Sequence, residues 1–196
     1  SQAYREEAAR IVSVLVERYG HHPAVVGWQI DNEPGNHDSA RCWSEESETA
    51  FRLWLAERHG GSIDALNAAW GNAFWSMDYP DFDAIRLPVP TVTDHHPSLL
   101  VAHLAFAAEQ AAEGLAEQRA IIAAGSPGRE LFTNLYLGDV DIDPRQVARP
   151  TGLGSVDIYP HGLRDADEVA FVLDLARGSA PGWSMRAARS GGRGDR

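Results

Sequence analysis

The chain has 196 residues, 44% of them hydrophobic and 23% charged, which is an ordinary composition for one globular domain with a sizeable core. Its net charge of −11 disfavours a polyanionic partner, so we predict that it binds no nucleic acid. No apolar run reaches about 18 residues, which predicts no membrane span, and the single cysteine excludes an internal disulfide.

Hydrophobic periodicity divides the chain into alternating helices and strands. It predicts helices over 4–19, 44–59, 62–70, about 99–124 and 166–177, with glycine stops at 20, 71, 125 and 178. Short apolar runs predict strands over 25–31, 131–135 and 154–159, and a helical turn over 145–149. Residues 74–98 are rich in Asp, Pro and aromatic residues, which indicates a long loop of the kind that is often functional.

This alternation is typical of βα units that build a parallel sheet. A complete (β/α)8 TIM barrel needs about 250 residues, so we predict an α/β fold that is part of such a barrel, over residues 1–185. Because Ser1 directly precedes a helix, we expect the natural N-terminus to be absent. Residues 186–196 are rich in Arg and Gly, which predicts a disordered basic tail. That tail is either natural or an out-of-frame or artificial end.

The strongest functional signal is an acidic residue at the exit of a strand. The run VVGWQIDNEPGNH ends an apolar segment in Asn32-Glu33, and Pro34 and Gly35 follow. Burying a carboxylate at this position is unfavourable unless a partner stabilises it or it has a function. Catalytic groups of α/β barrels gather at the carboxyl ends of the strands. Glycoside hydrolysis uses two carboxyl groups, so Glu33 is a candidate for one of them. A salt-bridge or helix-start carboxylate is the structural alternative.

The residues around Glu33 resemble those of glycoside hydrolase family 42, the β-galactosidases with a TIM-barrel catalytic domain. The matching segments are GWQIDNEPG, the long run CWSEESETAFRLWLAERHGGSIDALNAAWGNAFWSMDYPDFDAI, LFTNLY and GSVDIYP, and the resemblance extends over about residues 1–185. It implies that the chain contains roughly strands 4 to 6 of the barrel. It also implies a cytoplasmic retaining hydrolase that forms a homotrimer and needs no cofactor.

The resemblance assigns roles to individual residues. Glu33 matches the general acid/base, Asn32 the neighbouring sugar-binding Asn, and Trp75 an aromatic residue that shapes the substrate pocket. For Trp75 the alternative is core packing, which is the commoner role of an aromatic side chain. Asn134 and Tyr159 end later strands, where each has either a site role or a structural one.

Two positions depart from the family pattern. Many members bind zinc through a Cys-x-Cys-x-x-Cys cluster, but here Ser44 and Ser47 follow Cys42 at that spacing, and a hydroxyl is a poor zinc ligand. We therefore predict no structural zinc and expect Cys42 to be a buried thiol.

The family nucleophile is a Glu at the end of the seventh strand, and Arg186 stands at that position. Asp31 and Asp157 are weak substitutes, and we favour neither.

Three functions follow from these observations. The first is part of a retaining β-galactosidase that carries the acid/base but lacks the nucleophile. The second is an active glycosidase, in a longer chain or after complementation with the missing segments. The third is a non-catalytic carbohydrate-binding fragment that keeps Asn32, Glu33 and Trp75. We expect a β-galactoside to be the ligand in each case.

Overall fold

The computed structural model describes residues 2–135, 142–146, 153–159 and 166–179. Their α-helices include α1 (Gln2–Tyr19), α2 (Glu45–Arg58), α3 (Ile63–Trp70), α4 (Pro97–Gly125) and α5 (Ala166–Ser179), and residues 144–146 are also helical. They also contain three β-strands, which are β1 (Gly27–Gln29), β2 (Glu130–Leu135) and β3 (Leu153–Val156). No helix in these described ranges is long and apolar enough to cross a membrane. The predicted tail over 186–196 lies outside the described residues.

The three strands form one parallel sheet in the order β1-β2-β3. Gln29 pairs with Phe132 in the first ladder, and Asn134 pairs with Ser155 in the second. The connection from β1 to β2 contains α2, α3 and α4, and parallel pairing requires a crossover of this kind. The predicted parallel sheet of βα units is therefore confirmed. Parallel pairing brings the carboxyl ends of the strands, and the residues that follow them, to the same edge of the sheet.

The chain divides into two compact units, which we describe separately. The first unit comprises Arg41–Ala107, and the second comprises Gln2–Ala40 and Ala108 onward. The predicted single domain over 1–185 is not tested by this division and stays a prediction.

The first unit packs α2, α3 and the start of α4 around one apolar core. The core residues are Phe51, Leu55, Leu66, Ile85, Leu87, Leu99 and Phe106. Both predicted helix starts are confirmed, since the Ser44 side chain accepts a hydrogen bond from Ser47 N and the Ser62 side chain accepts one from Ala65 N. Helix α3 ends at Gly71 in the left-handed conformation, as predicted.

The predicted loop over 74–98 is irregular apart from two short 3-10 turns and the first residues of α4. It is held in place by specific polar contacts. The Asn67 side chain bonds both backbone groups of Tyr79, at 3.0 and 2.8 Å, and the Arg52 guanidinium donates to the carbonyl of Ile85 at 2.8 Å. These bonds satisfy backbone groups that have no ladder or helix partner.

The second unit contains the sheet, α1, the remainder of α4, and α5. Its core is formed by Val16, Ile30, Ala108, Leu115, Ile122, Leu135 and Ile142. The buried Ser126 hydroxyl donates to Gly20 O at 2.7 Å and accepts from Trp28 Nε1 at 2.9 Å. One side chain therefore ties β1 to the segment after α1.

Three predicted boundaries are corrected. Strand β1 is shorter than the predicted 25–31, because Asp31 takes φ 60° and leaves the extended conformation. Strand β3 is also shorter than the predicted 154–159, since it ends at Val156. Helix α5 continues through Gly178 to Ser179, whose hydroxyl donates to Leu175 O at 2.8 Å. An interior glycine costs a helix only about 1 kcal/mol. Of the predicted turn over 145–149, residues 147–149 lie outside the described residues.

Candidate active site

The candidate site lies in the second unit, at the carboxyl end of the parallel sheet. Residues 31–36 leave β1, Asn134 lies near the end of β2, and Asp157 follows β3. The backbone of Asp157 is fixed because its N–H donates to Leu135 O at 3.0 Å. The sheet thus brings polar side chains from three successive strands to one edge, where α/β barrels build their active sites.

Glu33 lies in an unusual backbone segment. Asp31 and Glu33 both have positive φ, at 60° and 45°, in the left-handed region that costs a non-glycine residue about 1–3 kcal/mol. Local hydrogen bonds offset this cost. Asn32 N donates to Asp31 Oδ1 at 2.8 Å, and Glu33 N donates to Asn134 Oδ1 at 3.0 Å. Strain of this kind is typical of functional sites.

A tight turn follows Glu33 and closes on its carboxylate. Asn36 N donates to Glu33 O at 3.0 Å, which makes residues 33–36 a hydrogen-bonded β-turn. Gly35 has φ 87° and ψ −4°, the geometry of the third position of a type II turn, and Pro34 suits the second position. The Asn36 side chain then donates to Glu33 Oε2 at 3.0 Å. The turn therefore orients one carboxylate oxygen of Glu33.

The Asn134 side chain connects the other polar groups. It is 4% exposed. Its Nδ2 donates to Asp157 Oδ2 at 2.5 Å and to Asn32 Oδ1 at 3.0 Å. Its Oδ1 accepts from Glu33 N and from Gln29 Nε2, both at 3.0 Å. One buried amide therefore contacts four neighbours at the site.

The pKa of the Asp157 carboxyl group depends on its surroundings, which include Glu33. Burial raises the pKa of Asp157, the hydrogen bond and negative charge of Glu33 raise it further, and the hydrogen bond from Asn134 opposes the shift.

The predicted substrate residues differ in setting. Asn32 is exposed, its Oδ1 is held by Asn134, and among the described residues its Nδ2 has no hydrogen-bond partner. Trp75 belongs to the first unit, where it is 78% exposed, has φ 59°, and stacks on Phe74 at 5.3 Å. The core-packing alternative for Trp75 is therefore wrong. Its placement beside Asn32 and Glu33 stays a prediction.

The residues at the zinc-cluster positions do not suit the metal. Cys42 is exposed, so the prediction of a buried thiol is wrong. It lies in the polar segment that precedes α2, where a hydrogen bond with the Ser44 hydroxyl at 3.3 Å lowers the pKa of the thiol. Ser44 itself caps the helix. Nowhere in the described ranges do three or more His, Cys, Asp or Glu side chains form a group able to hold a metal ion.

Sequence reasoning named Glu33, Asn32, Asn134 and Asp157 but missed how they are connected. Neither the bond from Gln29 to Asn134 nor the bond from Asn134 to Asp157 was predicted. The sequence feature that indicated their proximity was their position at the ends of three parallel strands, since side chains at that edge of the sheet lie near one another. Tyr159, also named from its strand end, is 54% exposed.

A parallel sheet with polar side chains gathered at the carboxyl ends of its strands is typical of an α/β-barrel protein. A model of the glycoside hydrolase 42 family, described as β-galactosidase, matches residues 1–192. The chain belongs to this family, and its fold is part of the family's TIM barrel.

Individual relatives agree with this assignment. The chain is 42% identical to the β-galactosidase Bga of Halorubrum lacusprofundi, and the match covers 94% of this chain and 29% of that protein. It is 40% identical to a β-galactosidase of Thermus thermophilus, covering 94% of this chain and 32% of that protein. The crystal structure of the β-galactosidase from Marinomonas ef1 superposes with a TM-score of 0.85 at 39% identity, covering 94% of this chain and 31% of that one. The chain thus spans less than a third of the length of these relatives.

Proposed function

We propose that this chain carries the acid/base half of a retaining β-galactosidase site, with Glu33 as the general acid/base. The observation that carries the proposal is the setting of Glu33 at the carboxyl end of the sheet. Its backbone is held by Asn134 and one carboxylate oxygen by Asn36. Membership of a family of β-galactosidases supports the substrate class.

The proposed reaction is a double displacement. Glu33 gives a proton to the glycosidic oxygen as the bond from that oxygen to the anomeric carbon breaks, and a carboxylate attacks the anomeric carbon from the opposite side. Glu33 then takes a proton from the water that releases the sugar. Asn32 Nδ2 is suited to donate to a sugar hydroxyl, because Asn134 already holds its carbonyl oxygen. We assign Trp75 to the apolar C–H face of the sugar, for which an exposed aromatic ring is suited.

The attacking carboxylate is the part of the mechanism that the described residues do not supply. Asp157 Oδ2 accepts a hydrogen bond from Asn134, and the Asp31 carboxylate bonds the N–H of Asn32. Arg186, which stands at the expected position of the nucleophile, lies outside the described residues. We therefore expect the chain alone to have no ordinary β-galactosidase turnover.

An external nucleophile makes this proposal testable on the chain as it is. Azide attacks the anomeric carbon from the face opposite the leaving group, a carbon–nitrogen bond forms, and the glycosidic oxygen departs with the proton of Glu33. A single displacement inverts the anomeric centre, so phenyl β-galactoside plus azide should yield α-galactosyl azide and phenol. Absence of this product under all azide concentrations contradicts the proposal.

The leaving group separates acid catalysis from binding. Glu33→Gln should slow the azide reaction of phenyl β-galactoside by about 10²–10⁴-fold, which is the usual contribution of a general acid. With dinitrophenyl β-galactoside the loss should be below about tenfold, because that leaving group departs without a proton. Glu57→Gln, at an exposed position on α2, is the matched control and should change neither rate. Equal losses for both substrates would refute the acid role.

Calorimetric titration with galactose tests the carbohydrate-binding alternative. Binding that weakens in Trp75→Ala, without any azide product, would favour a non-catalytic module over a catalytic site. The homotrimer and the cytoplasmic location remain proposals that rest on the resemblance alone. Light scattering of the purified chain and fractionation of the source cells test them.

A further inference from the structure

The side chain of Asn134 has used all of its hydrogen-bonding capacity. A primary amide has two N–H donors and two acceptor lone pairs. Here both donors are used, towards Asp157 and Asn32, and both lone pairs are used, by Gln29 and Glu33. Rotating the amide by half a turn would set donors against donors, so its orientation is fixed.

Asp157 is the group that selects this orientation. Its Oδ2 accepts the shortest hydrogen bond of the cluster, 2.5 Å from Asn134 Nδ2, and so requires the nitrogen of the amide to face it. The carbonyl oxygen of Asn134 must then face the N–H of Glu33. The backbone of Asp157 is fixed to β2 by its hydrogen bond to Leu135 O. The sheet therefore positions Asp157, Asp157 orients the Asn134 amide, and that amide holds the N–H of Glu33.

We propose that Asp157 and Asn134 are positioning residues for the acid/base, with Asp157 setting the Asn134 amide and Asn134 holding the backbone of Glu33 and the side chain of Asn32. The inference rests on the proposed function of Glu33. It assigns no proton transfer to substrate, because the carboxyl group of Asp157 acts on the reaction through Glu33 and Asn134.

The pKa of Asp157 gives a second link between this residue and Glu33. Burial raises the pKa of Asp157, and Glu33 is the titratable group in the described residues that raises it further. Asp157 therefore keeps its proton to a higher pH than a solvated aspartate does.

The first test needs no activity. The carboxyl carbons of the full chain are labelled at aspartate and titrated by NMR, and Asp157→Asn assigns the signal by its disappearance. We expect Asp157 to titrate above the ordinary value of 3.8 and to shift towards that value in Glu33→Gln. Glu57→Gln should leave the signal unchanged. An Asp157 signal that titrates like the exposed aspartates, or ignores Glu33→Gln, overturns this link between Asp157 and Glu33.

The second test measures the azide reaction of phenyl β-galactoside in a set of variants. Asp157→Ala and Asn134→Ala should each lower kcat by about 10–100-fold, the size of effect expected from misplacing a reacting group by about an ångström. Asp157→Asn should keep a rate within about threefold of the unsubstituted chain, because its amide oxygen can still accept from Asn134. Asp174→Ala, at an exposed position on α5, is the control.

The pattern of results separates this inference from the proposed function. If Glu33→Gln abolishes the reaction but Asp157→Ala leaves it unchanged, the positioning role is wrong and the acid/base assignment stands. If Asp157→Asn loses as much as Asp157→Ala, rescue by the conservative variant fails and the inference is overturned. If Glu33→Gln has no effect on rate, the proposed function fails. The NMR signal then decides the inference, which is wrong if Asn134→Ala and Glu33→Gln both leave the Asp157 signal unchanged.

Discussion

Gly35 offers the sharpest test of how the turn after Glu33 is built. Its φ of 87° lies in the left-handed region, which disfavours any side chain. A β-carbon added there would also lie 2.7 Å from both Cδ1 and Cγ1 of Ile142, a core residue that is 4% exposed. Gly35→Ala therefore introduces backbone strain and a steric clash together, in the turn that orients the Glu33 carboxylate.

The two costs can be separated by a matched control. Gly61 has a similar φ of 73°, but a β-carbon added there meets no atom within 4 Å. Gly61→Ala should therefore cost only the backbone term, about 1–2 kcal/mol. Gly35→Ala carries the same term plus about 1–3 kcal/mol for forcing a methyl group into a packed core. We expect a total of about 2–5 kcal/mol for Gly35→Ala.

Urea denaturation of the two variants measures this difference directly. A double-mutant cycle with Ile142→Ala then tests the cause, since removing the outer atoms of Ile142 should recover the steric part of the loss. Equal losses in Gly35→Ala and Gly61→Ala, or full additivity of Gly35→Ala with Ile142→Ala, would refute the argument from the clash.

Four further predictions follow from other parts of the chain. Ser126→Ala should destabilise the fold by about 1–3 kcal/mol in urea denaturation, because it leaves the buried Gly20 carbonyl without its donor. The control Ser13→Ala, on the exposed face of α1, should cost less than about 0.5 kcal/mol in the same assay. Burial and the charge of Arg41 lower the pKa of His103 from 6.5 to about 4. The stability from its neutral form is thus complete above pH 6.5 and is lost as pH falls towards 4, and His103→Leu should reduce that loss in thermal melts. In the sheet as described, β1 and β3 are the edge strands, so light scattering should show concentration-dependent association, which a constant monomer mass would contradict. Elemental analysis should find no stoichiometric zinc, and one zinc per chain would overturn that prediction.

Regular patterns in the sequence were sufficient for most of the fold. The helix starts at Ser44 and Ser62 follow from side-chain capping, and the parallel sheet follows from alternating helical and strand periods. The boundaries at Asp31 and Gly178 could not be predicted in the same way. At Asp31 the strand ends because hydrogen bonds at the site stabilise a left-handed backbone, and at Gly178 the helix continues because the cost of one glycine is small.

For the site, the sequence placed the right residue types at strand ends but not their contacts. Asn134 was ambiguous between a site role and a structural role. The structure shows that its amide contacts Asp157, Asn32, Gln29 and Glu33 at once. Such a cluster depends on the register of β2 with both neighbours, which no pattern within one strand contains. The exposure of Cys42 was missed because the typical burial of a residue type does not determine the burial of one position.

The position of Asp157 limits where the second carboxylate of the reaction can come from. A retaining pair needs its carboxyl groups about 5–5.5 Å apart on opposite sides of the anomeric carbon. Asp157 Oδ2 is held by Asn134, and Asp31 follows the same strand as Glu33 and bonds the backbone of Asn32. We therefore expect the nucleophile to come from outside the described residues or to be supplied in solution. The role that we propose for Asp157 is a different one, which is to hold the acid/base in place.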